Sequence, residues 1–258
     1  MKVVILAGGI GSRISEETTV KPKPMIMIGG KPIIWHIMKI YSHYGFNDFI
    51  VCLGYKGHVI KEYFLNYFLY NSDITVELEK NVVDVHYTNT ESFKVTLVDT
   101  GLDSNTAERI KRIEKHVGNN TFMLTYGDGV ADINISDLYK FHKKSGKLAT
   151  LTSIQLPGRF GNIETDIDGM VTRFQEKPEG DGVWINGGFF VLEPGIFKYL
   201  EGDQTNVQWE KKPLIEIAKD GQLSAYRHSG FWKCMDAVRD KIELEELWNS
   251  NYPPWKVW

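Results

Sequence analysis

Short apolar runs alternate with amphipathic stretches through the first third of the chain. Residues 3–6 and 49–53 are apolar and rich in β-branched side chains, which predicts strands buried on both faces. Apolar side chains recur at helical spacing over 33–41 and stop before Gly45, and an aromatic-rich stretch over 57–70 predicts a second helix. The order strand, helix, strand, helix predicts a mainly parallel sheet with right-handed crossover connections.

The same alternation continues less regularly along the rest of the chain. Residues 121–126 predict a buried strand, and 74–78 and 95–98 predict two shorter ones. The polar, alternating stretch 81–92 fits either an extra hairpin or a long excursion. Further helices are expected over 106–117, 138–144, 213–219 and 237–248, and further strands over 148–154 and 223–226.

Composition restricts the class of protein. The chain has 258 residues, of which 42% are hydrophobic, enough for the core of one large α/β domain. Lys and Arg number 30 against 33 Asp and Glu, so no excess of basic charge indicates nucleic acid as a partner. No apolar run approaches membrane-spanning length, and the N-terminus enters a strand without the features of a signal peptide. We therefore expect a cytoplasmic protein that does not contact the membrane.

The two cysteines, Cys52 and Cys234, stand far apart in the sequence. Their spacing fits no metal-binding motif, so a zinc site is disfavoured. Two lone thiols are typical of a reducing compartment, in agreement with the expected cytoplasmic location.

The loop after the first strand is rich in glycine. Gly8, Gly9 and Gly11 lack a Cβ atom, so backbone N–H groups can approach an anion closely, and Arg13 adds donors suited to phosphate. A dinucleotide-binding fingerprint would need glycine where the chain has Ile14, and the Gly-Lys-[Ser/Thr] of a P-loop is missing. The loop predicts a polyphosphate cradle and disfavours a dinucleotide-dependent oxidoreductase, with a plain strand-to-loop turn as the alternative.

Two lysines beyond this loop are stiffened by prolines. Lys21 and Lys23 alternate with Pro22 and Pro24. Each proline fixes its own φ and favours an extended conformation in the residue before it. We therefore expect positioned positive charge close to the glycine loop.

Five motifs together resemble the sugar-1-phosphate nucleotidyltransferases. They are Leu6-Ala-Gly-Gly-Ile-Gly-Ser-Arg, Lys21-Pro-Lys-Pro-Met, Tyr126-Gly-Asp-Gly, Glu176-Lys-Pro and Asn186-Gly-Gly-Phe, and the likeness extends to the final tryptophan. The resemblance implies a Rossmann-like α/β fold of the nucleotide-diphospho-sugar transferase (GT-A-like) type: a mixed, mainly parallel sheet flanked by helices, with a small β-rich sugar-binding region. It implies a single domain over 1–258, with nucleotide binding in about 1–130 and sugar binding and the C-terminal part in about 131–258.

Three further stretches resemble the cytidylyl branch of that family: Ser15-Glu-Glu-Thr, Pro157-Gly-Arg-Phe-Gly and Phe231-Trp-Lys-Cys-Met-Asp. Glu17 stands where most members of the wider family have proline. The resemblance implies Mg²⁺-dependent transfer of the cytidylyl group of CTP to α-D-glucose 1-phosphate. The products would be CDP-glucose and pyrophosphate, at an early step of CDP-sugar synthesis for lipopolysaccharide O-antigen. A member of the same fold that uses UTP, dTTP or ATP remains an alternative.

The resemblance also assigns roles to single residues at the nucleotide end of the site. It makes Arg13 and Lys23 the catalytic cations that hold the triphosphate and steady the reacting groups. Asp128 and Asp236 become the ligands of Mg²⁺, which prefers carboxylate and phosphate oxygens. The residues implied to contact the nucleotide are Leu6, Ala7, Gly8, Gly9, Ile10, Gly11, Ser12, Arg13, Lys23, Thr100, Arg109 and Gly127.

At the sugar end, the resemblance places Lys177 on the sugar phosphate and Glu176 and Asn186 on sugar hydroxyls, with Gly161 and Gly187 leaving room for the ring. An exposed ion pair is the alternative for Glu176 and Lys177. Consecutive strand residues point to opposite faces, so only one of the pair should face a ligand unless the strand has ended.

For several aspartates the residues alone also indicate a purely structural role. Asp128 lies between two glycines, where aspartate is by default a turn former. Asp236 could cap the helix predicted over 237–248, and Asp132 and Asp137 are expected to serve as turn and capping residues before the helix over 138–144. For Asp236, a cap and a metal ligand are compatible roles.

The aromatic tail over 252–258 carries too many apolar rings for a free end, so we expect it to pack on the body or on another subunit. A homo-oligomer is therefore expected. A catalytically silent nucleotide-sugar-binding regulatory subunit remains a rival. The combined presence of Arg13, Lys23, Asp128, Lys177 and Asp236 disfavours it, since a binder could dispense with metal carboxylates.

Overall fold

In the residues that this computed structural model describes, the strands form one large sheet and four two-stranded sheets. The structure describes residues 1–11, 14–156, 161–176, 183–250 and 252–258. In chain order the strands are β1 (Lys2–Leu6), β2 (Met27–Ile28), β3 (Lys31–Pro32), β4 (Asp48–Leu53), β5 (Ser72–Glu77), β6 (Val82–Thr88), β7 (Lys94–Asp99), β8 (Phe122–Tyr126), β9 (Gly129–Ala131), β10 (Ala149–Ile154), β11 (Asn162–Thr165), β12 (Val171–Gln175), β13 (Ile185–Leu192), β14 (Leu223–His228) and β15 (Trp232–Cys234).

Helices connect most of the strands. They are α1 (Ser15–Thr18), α2 (Ile33–His43), α3 (Gly57–Tyr70), α4 (Thr106–Arg112), α5 (Glu114–Val117), α6 (Ile135–Ser145), α7 (Lys212–Lys219) and α8 (Val238–Asn249), with 3-10 turns over Lys23–Met25 and Pro194–Leu200. In the part of the chain that the structure describes, none of these helices has the length and apolar character needed to cross a bilayer.

The seven-stranded sheet has the order β14-β10-β13-β8-β1-β4-β7. Every neighbouring pair is parallel except the two that involve β13, which runs against both β8 and β10. The mixed, mainly parallel sheet expected from the sequence is therefore confirmed. Because β1 and β8 are parallel and Leu6 lies beside Tyr126, the loops that begin at Ala7 and Gly127 leave the sheet at one edge. Ligands of open α/β sheets collect at this edge.

Helices on both faces bury the sheet. Val3 and Ile5 point into one core with α2, whereas Val4 and Leu6 point into the other with α4 and Trp209. This alternation follows from the two-residue period of a strand. It explains why β1 is apolar throughout, since each side chain removed from water contributes about 1.5–3 kcal/mol.

The backbone answers one question that the sequence left open and corrects one prediction. The segment 81–92 belongs to a hairpin in which β5 pairs with β6, and Asn81 at its turn has a left-handed φ of 53°. The helix expected over 106–117 is two helices, because the chain leaves helical geometry at Ile113, where φ is −95° and ψ is 2°.

The aspartates proposed as helix caps serve other purposes, so those predictions were wrong. Asn134 caps α6, and its Oδ1 atom accepts a hydrogen bond from the N–H of Asp137 at 3.0 Å. The carboxylate of Asp132 lies 3.0 Å from His228 Nε2.

At the start of α8 the N-cap position is Ala237. Asp240, one turn into the helix, accepts hydrogen bonds from the backbone N–H groups of Asp236 at 3.0 Å and Ala237 at 2.8 Å. The Asp236 carboxylate therefore does not cap α8, and it contacts Lys23 instead.

The aromatic tail packs on the body, as expected. Trp255 is fully buried and stacks on Phe231 with ring centroids 5.7 Å apart. Its indole N–H donates to His36 Nδ1 at 3.4 Å, so the ring proton of His36 lies on Nε2, 2.8 Å from the carbonyl oxygen of Ile28. Burial lowers the pKa of His36 to about 4, which makes it a neutral packing residue.

Candidate functional site

A cleft of about 660 Å³ opens at the carboxyl ends of β1 and β8. Its walls come from the glycine loop, the 3-10 turn over Lys23–Met25, the segment that leads into α4, and the two strands β13 and β15. The sequence-predicted site residues that line it are Leu6, Ala7, Gly8, Gly9, Ile10, Gly11, Lys23, Arg109, Gly127, Asp128, Asn186 and Asp236.

The other predicted residues lie apart from this lining. Thr100 is buried behind it, Gly161 and Glu176 adjoin β11 and β12, and Gly187 belongs to β13. Ser12, Arg13 and Lys177 lie outside the described residues, as does most of the Pro157-Gly-Arg-Phe-Gly motif. The ligand contacts assigned to all of these side chains stay predictions.

The glycine loop is fixed by hydrogen bonds to the neighbouring strand end. The N–H of Ala7 donates to the carbonyl of Cys52 at 3.1 Å, and the N–H of Tyr55 donates to the carbonyl of Gly8 at 3.1 Å. A Cβ atom on Gly8 would lie 2.2 Å from Arg109 Nη1, whereas one on Gly9 would meet nothing within 4 Å. Gly8 therefore serves close packing, and Gly9 leaves the cleft open.

Arg109 is the residue that packs on Gly8, and it is only 4% exposed. Its Nη2 donates to the carbonyl of Gly8 at 3.0 Å, and its Nη1 donates to the carbonyl of Leu53 at 3.0 Å and to the hydroxyl of Thr100 at 2.8 Å. Burial lowers the pKa of Arg109. Because these donors are used on backbone and hydroxyl oxygens, the guanidinium holds the loops at the ends of β1 and β4 in place.

Lys23 forms a compact charge cluster with two carboxylates. Its Nζ atom lies 2.7 Å from Asp128 Oδ2 and 2.6 Å from Asp236 Oδ1. Burial alone would lower the pKa of Lys23, but the two carboxylates outweigh that effect and raise it. Lys23 begins the 3-10 turn, with Pro22 as the N-cap residue before it and Pro24 after it. Each proline fixes its own φ, which restricts the backbone on both sides of the lysine.

Strand pairing brings the carboxylates together from distant parts of the chain. Cys234 on β15 pairs with Gly129 on β9, and the N–H of Met235 donates to the carbonyl of Asp128 at 2.9 Å. One ligand atom from each of Asp128, Cys234 and Asp236 lies within 4.8 Å of the other two.

The donor set of this cluster suits a hard divalent ion. Carboxylate oxygens are ligands that Mg²⁺ prefers, whereas thiolates select softer metals. Burial raises the pKa of the Cys234 thiol, and the neighbouring Asp128 carboxylate raises it further.

The part of the cleft around Asn186 is built differently. Asn186 lies at the start of β13 and faces the cleft beside Tyr126. A Cβ atom on Gly161 would lie 2.9 Å from Glu176 Oε2, and one on Gly187 would lie 3.0 Å from Ile154 Cγ2. A side chain at either position would therefore come into close contact with its neighbours.

Several residues in or behind the wall of the cleft were missed by sequence reasoning. Tyr126 precedes the Gly-Asp-Gly turn at the end of a buried strand, so its position was a usable signal. Trp232, whose indole N–H donates to the carbonyl of Gly187 at 2.7 Å, stands in the Phe231-Trp-Lys-Cys-Met-Asp motif but was given no role. Glu210, which contacts Tyr126, gave no local signal. The remaining unforeseen lining residues are Pro24, Ser104, Asn105, Thr106, Gln208 and Cys234.

A glycine loop, a proline-flanked lysine and two convergent carboxylates thus lie together at the carboxyl edge of a mainly parallel sheet. The chain matches the nucleotidyl transferase family over residues 2–236 and belongs to that family.

Named relatives cover the whole chain. It is 55% identical over 259 aligned residues to the glucose-1-phosphate cytidylyltransferase of Salmonella typhi, covering 100% of both proteins. It is 48% identical, again over 100% of both, to the probable glucose-1-phosphate cytidylyltransferase of Bacillus subtilis. Among solved structures, UDP-glucose pyrophosphorylase complexed with UDP-glucose has the same fold, with a TM-score of 0.68, 18% identity, and coverage of 96% of this chain and 98% of that one.

Proposed function

We propose that this nucleotidyltransferase transfers the cytidylyl group of CTP to α-D-glucose 1-phosphate, giving CDP-glucose and pyrophosphate. The observation that carries the proposal is the cluster of Lys23, Asp128 and Asp236 at the mouth of the glycine loop. The choice of substrates is supported by the full-length likeness to the Salmonella typhi protein, whose name specifies glucose 1-phosphate and a cytidylyl group.

The reaction needs no general base. A phosphate monoester has a second pKa near 6, so the attacking oxygen of glucose 1-phosphate is already ionised at neutral pH. This oxygen attacks the α-phosphorus of CTP, the bond to the β-phosphate oxygen breaks, and pyrophosphate leaves. Catalysis then rests on positioning and charge neutralisation.

The residues of the cleft fit these two tasks. Backbone N–H groups of the glycine loop bind phosphate oxygens, and Arg13 adds charge there. Asp128 and Asp236 would hold a Mg²⁺ ion, which would supply charge neutralisation on the triphosphate. Once Lys23 turns from the carboxylates to the α-phosphate, it stabilises the negative charge that develops during transfer.

The sugar phosphate enters from the side of β12 and β13. We assign Lys177 to its phosphate and Glu176 and Asn186 to ring hydroxyls. Asn186 faces the cleft, and its amide offers both a donor and an acceptor, which suits a hydroxyl group.

Two parts of the proposal concern the protein as a whole. Cys52 and Cys234 are free thiols, which fits the reducing cytoplasm. The homo-oligomer expected from the sequence stays a prediction, and sedimentation velocity of the purified protein tests it.

The test is pyrophosphate release with Mg²⁺ and glucose 1-phosphate, run in parallel with CTP, UTP, dTTP, ATP and GTP. We expect strong release with CTP alone. Release with a different nucleotide would keep the reaction and overturn the choice of base. Silence with every nucleotide would overturn the function and favour a regulatory sugar-nucleotide binder.

A further inference from the structure

A chain of hydrogen bonds runs behind the cleft from α4 to Asn186. It begins at Trp209, whose backbone N–H donates to Thr106 Oγ1 at 2.7 Å. The Thr106 hydroxyl then donates to Glu210 Oε2 at 3.0 Å, and the Tyr126 hydroxyl donates to Glu210 Oε1 at 2.5 Å. Finally, Asn186 Nδ2 donates to the Tyr126 oxygen at 3.3 Å.

The direction of each bond is fixed by chemistry. A carboxylate accepts hydrogen bonds and cannot donate, so both the Tyr126 hydroxyl and the Thr106 hydroxyl must point their single proton at Glu210. The Tyr126 oxygen is then left as an acceptor only. It can bind the amide nitrogen of Asn186 but cannot bind the amide oxygen.

The other side of the Asn186 amide agrees with this orientation. Its Oδ1 atom accepts a hydrogen bond from the N–H of Gly188 at 2.9 Å. Each end of the amide therefore has a partner that is compatible with only one of the two orientations that an amide flip would interchange. Among the described residues these two contacts use one N–H and one lone pair of the amide, so a second N–H and a second lone pair can meet a ligand.

The packing holds Tyr126 rigidly enough for this task. Gly188 has a φ of +81°, and a Cβ atom there would lie 2.5 Å from Tyr126 Cδ2, so the ring fills the space that the glycine leaves. Phe190 meets the ring edge to face, with centroids 6.0 Å apart. Burial, together with the neighbouring Glu210 carboxylate, raises the pKa of Tyr126, so the phenol keeps its proton.

We propose that Glu210 and Tyr126 are positioning residues that fix the amide of Asn186 so that it presents its donor and its acceptor to the ring hydroxyls of a hexose 1-phosphate. This inference rests on the proposed function. It goes beyond that function by assigning sugar affinity to two residues that need not touch the sugar.

The test compares Tyr126→Phe and Glu210→Gln with the wild-type enzyme. Each variant keeps the size of the side chain but removes the group that dictates the direction of the hydrogen bonds. We expect each to raise KM for glucose 1-phosphate by about five- to tenfold, the range of one lost hydrogen bond. KM for CTP and kcat should stay within about threefold, because the amide contacts only the sugar.

A matched control lies on the surface. Tyr199 donates to Asp220 Oδ2 at 2.7 Å, a bond of the same kind in an exposed position outside the cleft. Tyr199→Phe should leave every kinetic constant unchanged. Thermal unfolding of all variants separates a loss of folding from a loss of sugar affinity.

A double-mutant cycle with Asn186→Ala gives the decisive result. Once the amide is absent, Tyr126→Phe should have no further effect on KM for glucose 1-phosphate. An equal effect of Tyr126→Phe with and without Asn186 would overturn the inference, and so would an unchanged KM in both single variants. A wild-type enzyme that turns over no CTP would instead overturn the proposed function.

Discussion

The ammonium of Lys23 lies 2.7 Å from the carboxylate of Asp128, and the same ammonium reaches Asp236 at 2.6 Å. The lysine of the Lys-Pro-Lys-Pro motif therefore neutralises the pair of carboxylates proposed to hold Mg²⁺. Two carboxylates in contact repel each other, so a cation between them stabilises the site in the absence of nucleotide. Lys23 and a metal ion thus compete for the same oxygen atoms.

Removing this ammonium should tighten metal binding while it impairs catalysis. For Lys23→Met we expect a higher affinity for Mn²⁺ in the absence of nucleotide, measured by electron paramagnetic resonance of free Mn²⁺, together with a loss of turnover of about a hundredfold or more. Lys140→Met removes a lysine from an exposed pair with Asp137, at 3.0 Å, and should change neither property. Weaker Mn²⁺ binding in Lys23→Met would contradict competition between the two cations.

The Asp128 carboxylate should be needed for the reaction and dispensable for the fold. For Asp128→Asn we expect turnover to fall by about two to three orders of magnitude, since a charged ligand of the metal is lost. The melting temperature should stay close to that of wild type. Asp137→Asn, at a surface aspartate, is the control for charge alone, and retained activity in Asp128→Asn would remove this residue from the metal site.

Gly8 and Gly9 are adjacent, but they should differ sharply in their effect on stability. A Cβ atom on Gly8 would force the Arg109 guanidinium to move, which we expect to cost about 1–3 kcal/mol in Gly8→Ala. The Gly9→Ala variant should change the free energy of unfolding by less than about 0.5 kcal/mol, because nothing lies within 4 Å. Urea unfolding of the two variants measures the difference, and equal values would show that Arg109 adapts to a side chain at Gly8.

Stability should fall in mild acid because of His36. Its folded-state pKa of about 4 lies below the value of about 6.5 expected in the unfolded chain, so the unfolded state binds more protons as the pH drops. The contribution of His36 is complete above pH 6.5 and declines as the pH falls toward 4. Between pH 7 and pH 5 we expect a loss of about 2 kcal/mol from this residue.

The comparison of His36→Gln with wild type isolates the contribution of His36 to the pH dependence of stability, because the other titratable groups are the same in both proteins. The variant should lose about 2 kcal/mol less than wild type between pH 7 and pH 5 in urea unfolding. The control is His86→Gln, at an exposed histidine whose Nε2 lies 2.8 Å from Thr75 Oγ1, and it should match wild type. Equal pH dependence in wild type and His36→Gln would show that His36 is protonated in the folded protein.

Local patterns were enough to predict most of the sheet. The buried strands have continuous apolar runs, and α3 extends over Gly57–Tyr70, as predicted. The break at Ile113 could not be predicted in the same way. It interrupts a segment whose composition is helical throughout, so tertiary packing decides it.

The residues of the site could be predicted where a motif carried them, but the strand pairing that brings them together could not. Lys23, Asp128 and Asp236 all stand in short motifs, whereas the approach of Asp236 to Asp128 depends on the pairing of β9 with β15. Glu210 was harder still to predict. It lies in a segment without a recognisable motif, and it is linked to the site only by its hydrogen bond with Tyr126. Glu17, which stands where most members of the wider family have proline, forms an ion pair with Lys241 of α8.

The most direct test of cytidylyl transfer is a competition in one vessel. Equal concentrations of CTP, UTP, dTTP, ATP and GTP are mixed with Mg²⁺, limiting glucose 1-phosphate and the enzyme, and the nucleotide sugars are identified by mass spectrometry. The product ratio then reports the ratio of kcat/KM values. We predict that CDP-glucose dominates and that Asp128→Asn forms it more slowly by about a hundredfold or more, in line with the lost metal ligand. Dominance of any other nucleotide-glucose would contradict the account.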